Sequence, residues 1–115
     1  MPLVRAASLS DVPVGASKAV EVDGVPVALV RLDKSTVKAV HNICSHQYYE
    51  LAPEGWVGDN SIECALHGSV FDLDTGAPRS LPALDAIPVY HCELDHEQIF
   101  VDVAAQRNDA NAPEH

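Results

Sequence analysis

The stretch that decides the reading is Cys44-Ser45-His46, followed after 17 intervening residues by Cys64-Ala65-Leu66-His67. Each knuckle pairs one thiol with one imidazole, and thiolate with imidazole matches the donor preferences of transition metals. A structural zinc ion gathers four donors around one metal, usually from Cys-x-x-Cys knuckles. One sulfur and one nitrogen per knuckle suits a two-iron cluster instead, with both cysteines on one iron and both histidines on the other. A zinc-binding interaction module is the alternative of a different class. A Cys–His nucleophile lacks a third orienting group at either knuckle.

Around the knuckles, from His41 to about Leu84, turn residues are dense: Pro53, Gly55, Gly58-Asp59-Asn60, Gly68, Asp74-Thr75-Gly76, Pro78 and Pro82. This predicts a loop-rich insertion. On either side, β-branched runs predict strands. Lys18–Val22 and Val25–Leu32 flank Asp23-Gly24, a pair suited to a type I′ hairpin turn. Thr36–Val40 follows, and Ile87–Leu94 turns through Asp95-His96-Glu97 into Gln98–Val103. Helical periodicity is missing. The expectation is an all-β fold in one domain over residues 1–103, a basal sheet interrupted by a cluster-binding part at about 41–84, with a flexible polar tail at 104–115. Cys92 shares strand parity with Tyr90 and Leu94 and reads as a small buried hydrophobe. Trp56 and Tyr48-Tyr49 read as packing residues, and His41, His91, His96 and His115 as ordinary polar residues. Asp72-x-Asp74-x-Gly76 lacks the further ligands of a calcium loop and reads as a turn.

Composition narrows the function. The 115 residues carry 7 Lys+Arg against 17 Asp+Glu, a net charge of −10, which disfavours phosphate backbones and anionic lipid. No apolar run approaches the ~20 residues of a membrane helix. Three cysteines make no disulfide framework and the N-terminus does not read as a signal peptide, so the expected compartment is the cytoplasm. The charge is uneven: residues 1–40 hold five basic and four acidic side chains, whereas residues 41–103 hold Arg79 alone against eleven acids. Glu50, Glu54, Asp59 and Glu63 cluster between the knuckles. Such a face steers a protein toward basic docking patches through small, salt-sensitive interfaces.

The set Cys44-Ser-His46, Cys64-Ala-Leu-His67-Gly68 and Phe71-Asp-Leu-Asp-Thr-Gly76, with Leu81-Pro82-Ala83 and Pro88-Val-Tyr90, resembles the Rieske-type [2Fe-2S] proteins. It is most similar to the small ferredoxin components of bacterial ring-hydroxylating dioxygenases. The resemblance implies stacked antiparallel sheets and one [2Fe-2S] cluster. Cys44 and Cys64 would hold the inner iron and His46 and His67 the outer, with Gly68 and Ser69 beside them and a Pro82 loop over the cluster. It further implies a monomeric, non-catalytic carrier passing single electrons from a flavin-dependent reductase to a terminal non-haem-iron oxygenase. Other roles within the same fold are a nitrite-reductase-type small subunit and a ferredoxin serving iron–sulfur assembly. Respiratory Rieske proteins add a disulfide between the knuckle loops; the matching positions here are Tyr49 and Leu66. Ser69 is present, but Phe71 stands where those proteins carry a tyrosine hydroxyl. The expected potential therefore lies low in the Rieske range of about −150 to +300 mV, flat near neutral pH and falling in alkali as a histidine ligand ionises.

Overall fold

The computed structural model describes residues 3–44, 49–65, 68–80 and 85–110. Among these residues nine strands follow in order: β1 (Val4–Ser8), β2 (Ser17–Val22), β3 (Val25–Arg31), β4 (Val37–His41), β5 (Trp56–Gly58), β6 (Ser61–Glu63), β7 (Val70–Asp72), β8 (Val89–Asp95) and β9 (Gln98–Gln106). A single-turn 3-10 helix, Leu9–Asp11, follows β1. Six strands form one antiparallel sheet in the order β1-β9-β8-β4-β3-β2, and β5-β6-β7 form a second. The large sheet curls until its edges β1 and β2 meet, which closes it toward a barrel and shields both edges from pairing with other chains.

The hairpins form where turn chemistry demands them. Asp23 and Gly24 take φ of 51° and 80°, the positive angles of the expected turn between β2 and β3. At the β8–β9 turn His96 and Glu97 adopt φ of 49° and 68°, so here two residues with a Cβ occupy a backbone region that favours glycine.

Strand β3 explains how two cores are built on one sheet. Its run Val27-Ala28-Leu29-Val30 is fully buried, because successive side chains point to opposite faces. Val27 and Leu29 face the barrel interior with Val12, Val22, Ile99 and Val101. Ala28 and Val30 face outward and meet Leu51, Ile62, Phe71 and Leu73 from the inserted segment and Ile87 just beyond it. The small sheet turns one row toward that second core: Val57 pairs with Ile62 and Ile62 with Phe71. Burying each such side chain contributes roughly 1.5–3 kcal/mol.

The C-terminal boundary differs from the expectation of a tail from residue 104. Strand β9 runs to Gln106, with a register jump: His91 pairs with Asp102, but Tyr90 pairs with Gln106. Beyond it the Asn108 amide donates to the carbonyls of Thr75 at 2.7 Å and Ile87 at 2.8 Å, while its Oδ1 accepts from the Val89 N–H at 3.1 Å. One side chain thus ties the chain end to the insertion and the basal sheet together, and composition does not register so local a device. Residues 111–115 lie outside the described residues.

Candidate metal centre

The two loops that carry the knuckles share one construction. Strand β4 ends at His41, and a short ladder continues beyond it: the Leu51 N–H donates to the Asn42 carbonyl at 2.9 Å, and Ile43 bridges Glu50. The Asn42 side chain locks this base, its Oδ1 accepting from the Ala52 N–H at 2.7 Å. The ladder ends where the Cys44 N–H donates to the Tyr49 carbonyl at 3.0 Å. In the second loop, Glu63 pairs with Val70 and the Cys64 N–H donates to the Ser69 carbonyl at 2.7 Å. In both, the cysteine N–H closes on the carbonyl five residues downstream. The unequal spellings Cys-x-His and Cys-x-x-His conceal this equivalence.

The second loop is braced further. Gly68 donates its N–H to the Cys64 carbonyl at 2.9 Å with φ of 78°, a conformation that favours glycine. The Ser80 hydroxyl donates to the Gly68 carbonyl at 3.2 Å and accepts from the Val70 N–H at 3.1 Å. Next to it, the Arg79 guanidinium donates to the Asp59 and Asn60 carbonyls and pairs with the Asp72 carboxylate at 2.7 Å. That hydrogen bond, above all, holds the Asp72 pKa down to about 2. The Asp72 Oδ1 also accepts from the N–H groups of Asp74 and Thr75, so Asp72 to Gly76 is the expected turn.

Cys44 and Cys64 are unoxidised, buried and members of one core cluster. Their surroundings fit a metal: two soft donors stand at the mouths of two equivalent loops, in a core that excludes water. Cys92 packs against the other core, where burial pushes its thiol up to about 11 and makes it inert. Among the described residues no three His, Cys, Asp or Glu side chains converge. The structure therefore brings together Cys44, Cys64, Gly68 and Ser69. His46, His67 and Pro82, together with Tyr48 and Leu66, lie outside the described residues.

Two readings are corrected. Trp56 is 69 % exposed on β5, because the inward row of that strand is held by Val57. His41 is buried inside the barrel, its Nδ1 3.0 Å from the Tyr90 hydroxyl, and desolvation lowers its pKa. The alternation of Ala39 and His41 along β4 was the available signal. Tyr49 packs against the second core as expected, and His91 and His96 sit at the surface with a ring nitrogen 2.6 Å from the carboxylates of Glu93 and Asp95 respectively.

A small β barrel with an inserted sheet, presenting two buried cysteines at equivalent loops, fits the class of metal-binding β proteins. Residues 3–91 match the Rieske [2Fe-2S] domain, and the chain belongs to that family. The anthranilate 1,2-dioxygenase ferredoxin subunit of Burkholderia cepacia is 36 % identical over 78 residues, 68 % of this chain and 70 % of that protein. The ferredoxin of carbazole 1,9a-dioxygenase from Nocardioides aromaticivorans IC177 superposes with a TM-score of 0.81 at 34 % identity, covering 99 % of this chain and 100 % of its own. A chain in the complex of reduced oxygenase and oxidized ferredoxin of carbazole 1,9a-dioxygenase superposes at 0.79, with 27 % identity over 88 % of this chain and 93 % of that one. The protein is a Rieske-type ferredoxin, an electron carrier rather than a catalyst, whose [2Fe-2S] cluster takes two Cys and two His ligands. No helix among the described residues is long and apolar enough to cross a membrane.

Proposed function

We propose that Cys44 and Cys64 ligate one iron and His46 and His67 the other, and that the carrier takes electrons singly from a flavin-dependent reductase and gives them to a terminal non-haem-iron oxygenase. The observation that carries this reading is the pair of equivalent loops with a buried cysteine at each mouth, in one core. A cluster bound there supplies reversible one-electron storage. The chain's residues supply the rest. Burial of Cys44 and Cys64 keeps water from the thiolates, and the hydrogen bonds of Asn42 and Ser80 fix the loop bases, so that little reorganises when charge arrives. Exposed Glu50, Glu54 and Asp59 offer basic patches on both partners a place to dock. Cysteines outside any disulfide suit the cytoplasm, the excess negative charge favours a monomer, and the cluster-binding part spans about residues 41–84.

The test is iron and sulfide content with electron paramagnetic resonance of the reduced protein, on the wild type and on Cys44→Ser, Cys64→Ser, His46→Ala and His67→Ala. Each variant loses the wild-type signal. A colourless, zinc-loaded native protein contradicts the reading, as does a potential above about +150 mV for its low placement in the Rieske range.

A further inference from the structure

We propose that the exposed Trp56 ring and the carboxylates around it form the docking surface for the terminal oxygenase, with the ring as the central anchor and a cationic face of the oxygenase as its complement. This rests on the donor role proposed above and names the part of the surface that performs it. Trp56 is the most exposed of the large apolar side chains among the described residues; Leu3 and Val14 stand apart from it in sequence, outside the inserted sheet. It lies on β5, an edge strand, and tryptophan on a rim of charge is the residue type that most often carries interface energy.

The ring is continuous with the site. Trp56 pairs with Glu63 across β5 and β6, and Glu63 with Val70 across β6 and β7, so these three share the outward row of the small sheet. The Glu63 carboxylate lies 3.6 Å from where a Cβ on Gly68 would stand, and Gly68 belongs to the second knuckle. A protein seated on Trp56 therefore borders that loop.

The charge decides the occupant. Glu54 and Asp59, exposed in the sequence flanking β5, take part in no ion pair among the described residues. Arg79, the first cation to follow, is held by Asp72 and by the carbonyls of Asp59 and Asn60. A second copy of this chain, with its −10 charge, would bring two anionic faces together. An Arg or Lys over the indole face gains a cation–π contact and pairs with the carboxylates at once. A related ferredoxin is found in complex with its oxygenase, and that is the partner assigned to this face.

The test uses the cluster-loaded protein and, as probe, the oxygenase component of carbazole 1,9a-dioxygenase, with binding measured by calorimetry at low and high salt. Trp56→Ala is expected to weaken binding at least about ten-fold, with Trp56→Phe retaining most of it. Glu54→Gln with Asp59→Asn is expected to flatten the salt dependence, and all variants keep the wild-type potential and resonance spectrum. Unchanged binding of Trp56→Ala overturns the proposal, as does wild type that fails to bind the oxygenase. Wild-type self-association abolished by Trp56→Ala assigns the ring to a dimer and overturns it too, as does an effect confined to electron uptake from a reductase. A wild type without an iron–sulfur signal refutes the carrier role instead, so the two failures are distinct.

Discussion

The two cores back onto the same sheet and are made by different means. The barrel core closes through strands of alternating residues joined by tight turns, and every element in it has a paired neighbour. The second core joins the outer face of β3, β4 and β8 to a segment whose three strands have only three residues each. A three-stranded sheet of that length is marginal alone. The second core contains both ligand cysteines, so the bound cluster closes what backbone pairing leaves open. A barrel stable without metal and an insertion stable with it follow from that difference.

The largest effect expected is therefore metal removal. Chelating the iron, or replacing Cys64 with Ser, should abolish hydrogen-exchange protection in β5, β6 and β7 while β2, β3 and β9 keep theirs. Uniform loss across both regions, or uniform retention, breaks the comparison.

Glycine turns sharpen it. Gly24 and Gly76 both have positive φ, 80° and 73°, but they differ in surroundings. A Cβ on Gly24 meets nothing, whereas one on Gly76 would overlap the Ile87 carbonyl and approach the Asn108 amide at 2.6 Å. Denaturant unfolding should show Gly24→Ala costing about 1–2 kcal/mol and Gly76→Ala above about 3 kcal/mol, the combined result of strain and overpacking. Equal costs would show that the second junction yields as easily as a surface turn.

The contrast in legibility has the same origin. The Asp23-Gly24 hairpin and the pairing of Ile87–Leu94 with Gln98–Val103 are legible because turn pairs and alternation are local patterns, and of the two knuckles the structure places the cysteines Cys44 and Cys64 in one core. Strand β1 escaped notice because Val4–Ser8 alternates weakly, and β5, β6 and β7 because three residues carry too little periodicity. Asn108 and Arg79 act through backbone carbonyls more than 15 residues away in sequence, which no window of composition samples. Apolar character alone does not place Trp56, because an apolar residue on a three-residue strand can belong to either row.

Acid should separate the regions by pH. Burial lowers the His41 pKa from 6.5, so the unfolded chain binds a proton that the folded barrel resists. The stability this group contributes is full above about pH 6.5 and is lost as pH falls through its folded value. Asp72 is held near 2 against an unfolded value of 3.8, so its contribution to the insertion is present above about pH 4 and lost only as pH falls toward 2. Stability curves of His41→Phe and Asp72→Asn should each flatten in their own window, and a shared window would contradict the assignment. The smallest effect lies at the β8–β9 turn, where Glu97→Gly at φ of 68° should stabilise the barrel by up to about 1 kcal/mol in thermal unfolding.

The ligand set proposed for the two equivalent loops, Cys44 and Cys64 with His46 and His67 around one cluster, can be read by spectroscopy. Pulsed electron paramagnetic resonance of the reduced protein, with nitrogen-15 in its histidines, addresses it directly. Two imidazole nitrogens are expected to couple to the unpaired electron, with the wild-type pattern lost on replacing either His46 or His67. Absence of nitrogen coupling, or a two-nitrogen pattern that survives both replacements, would contradict it.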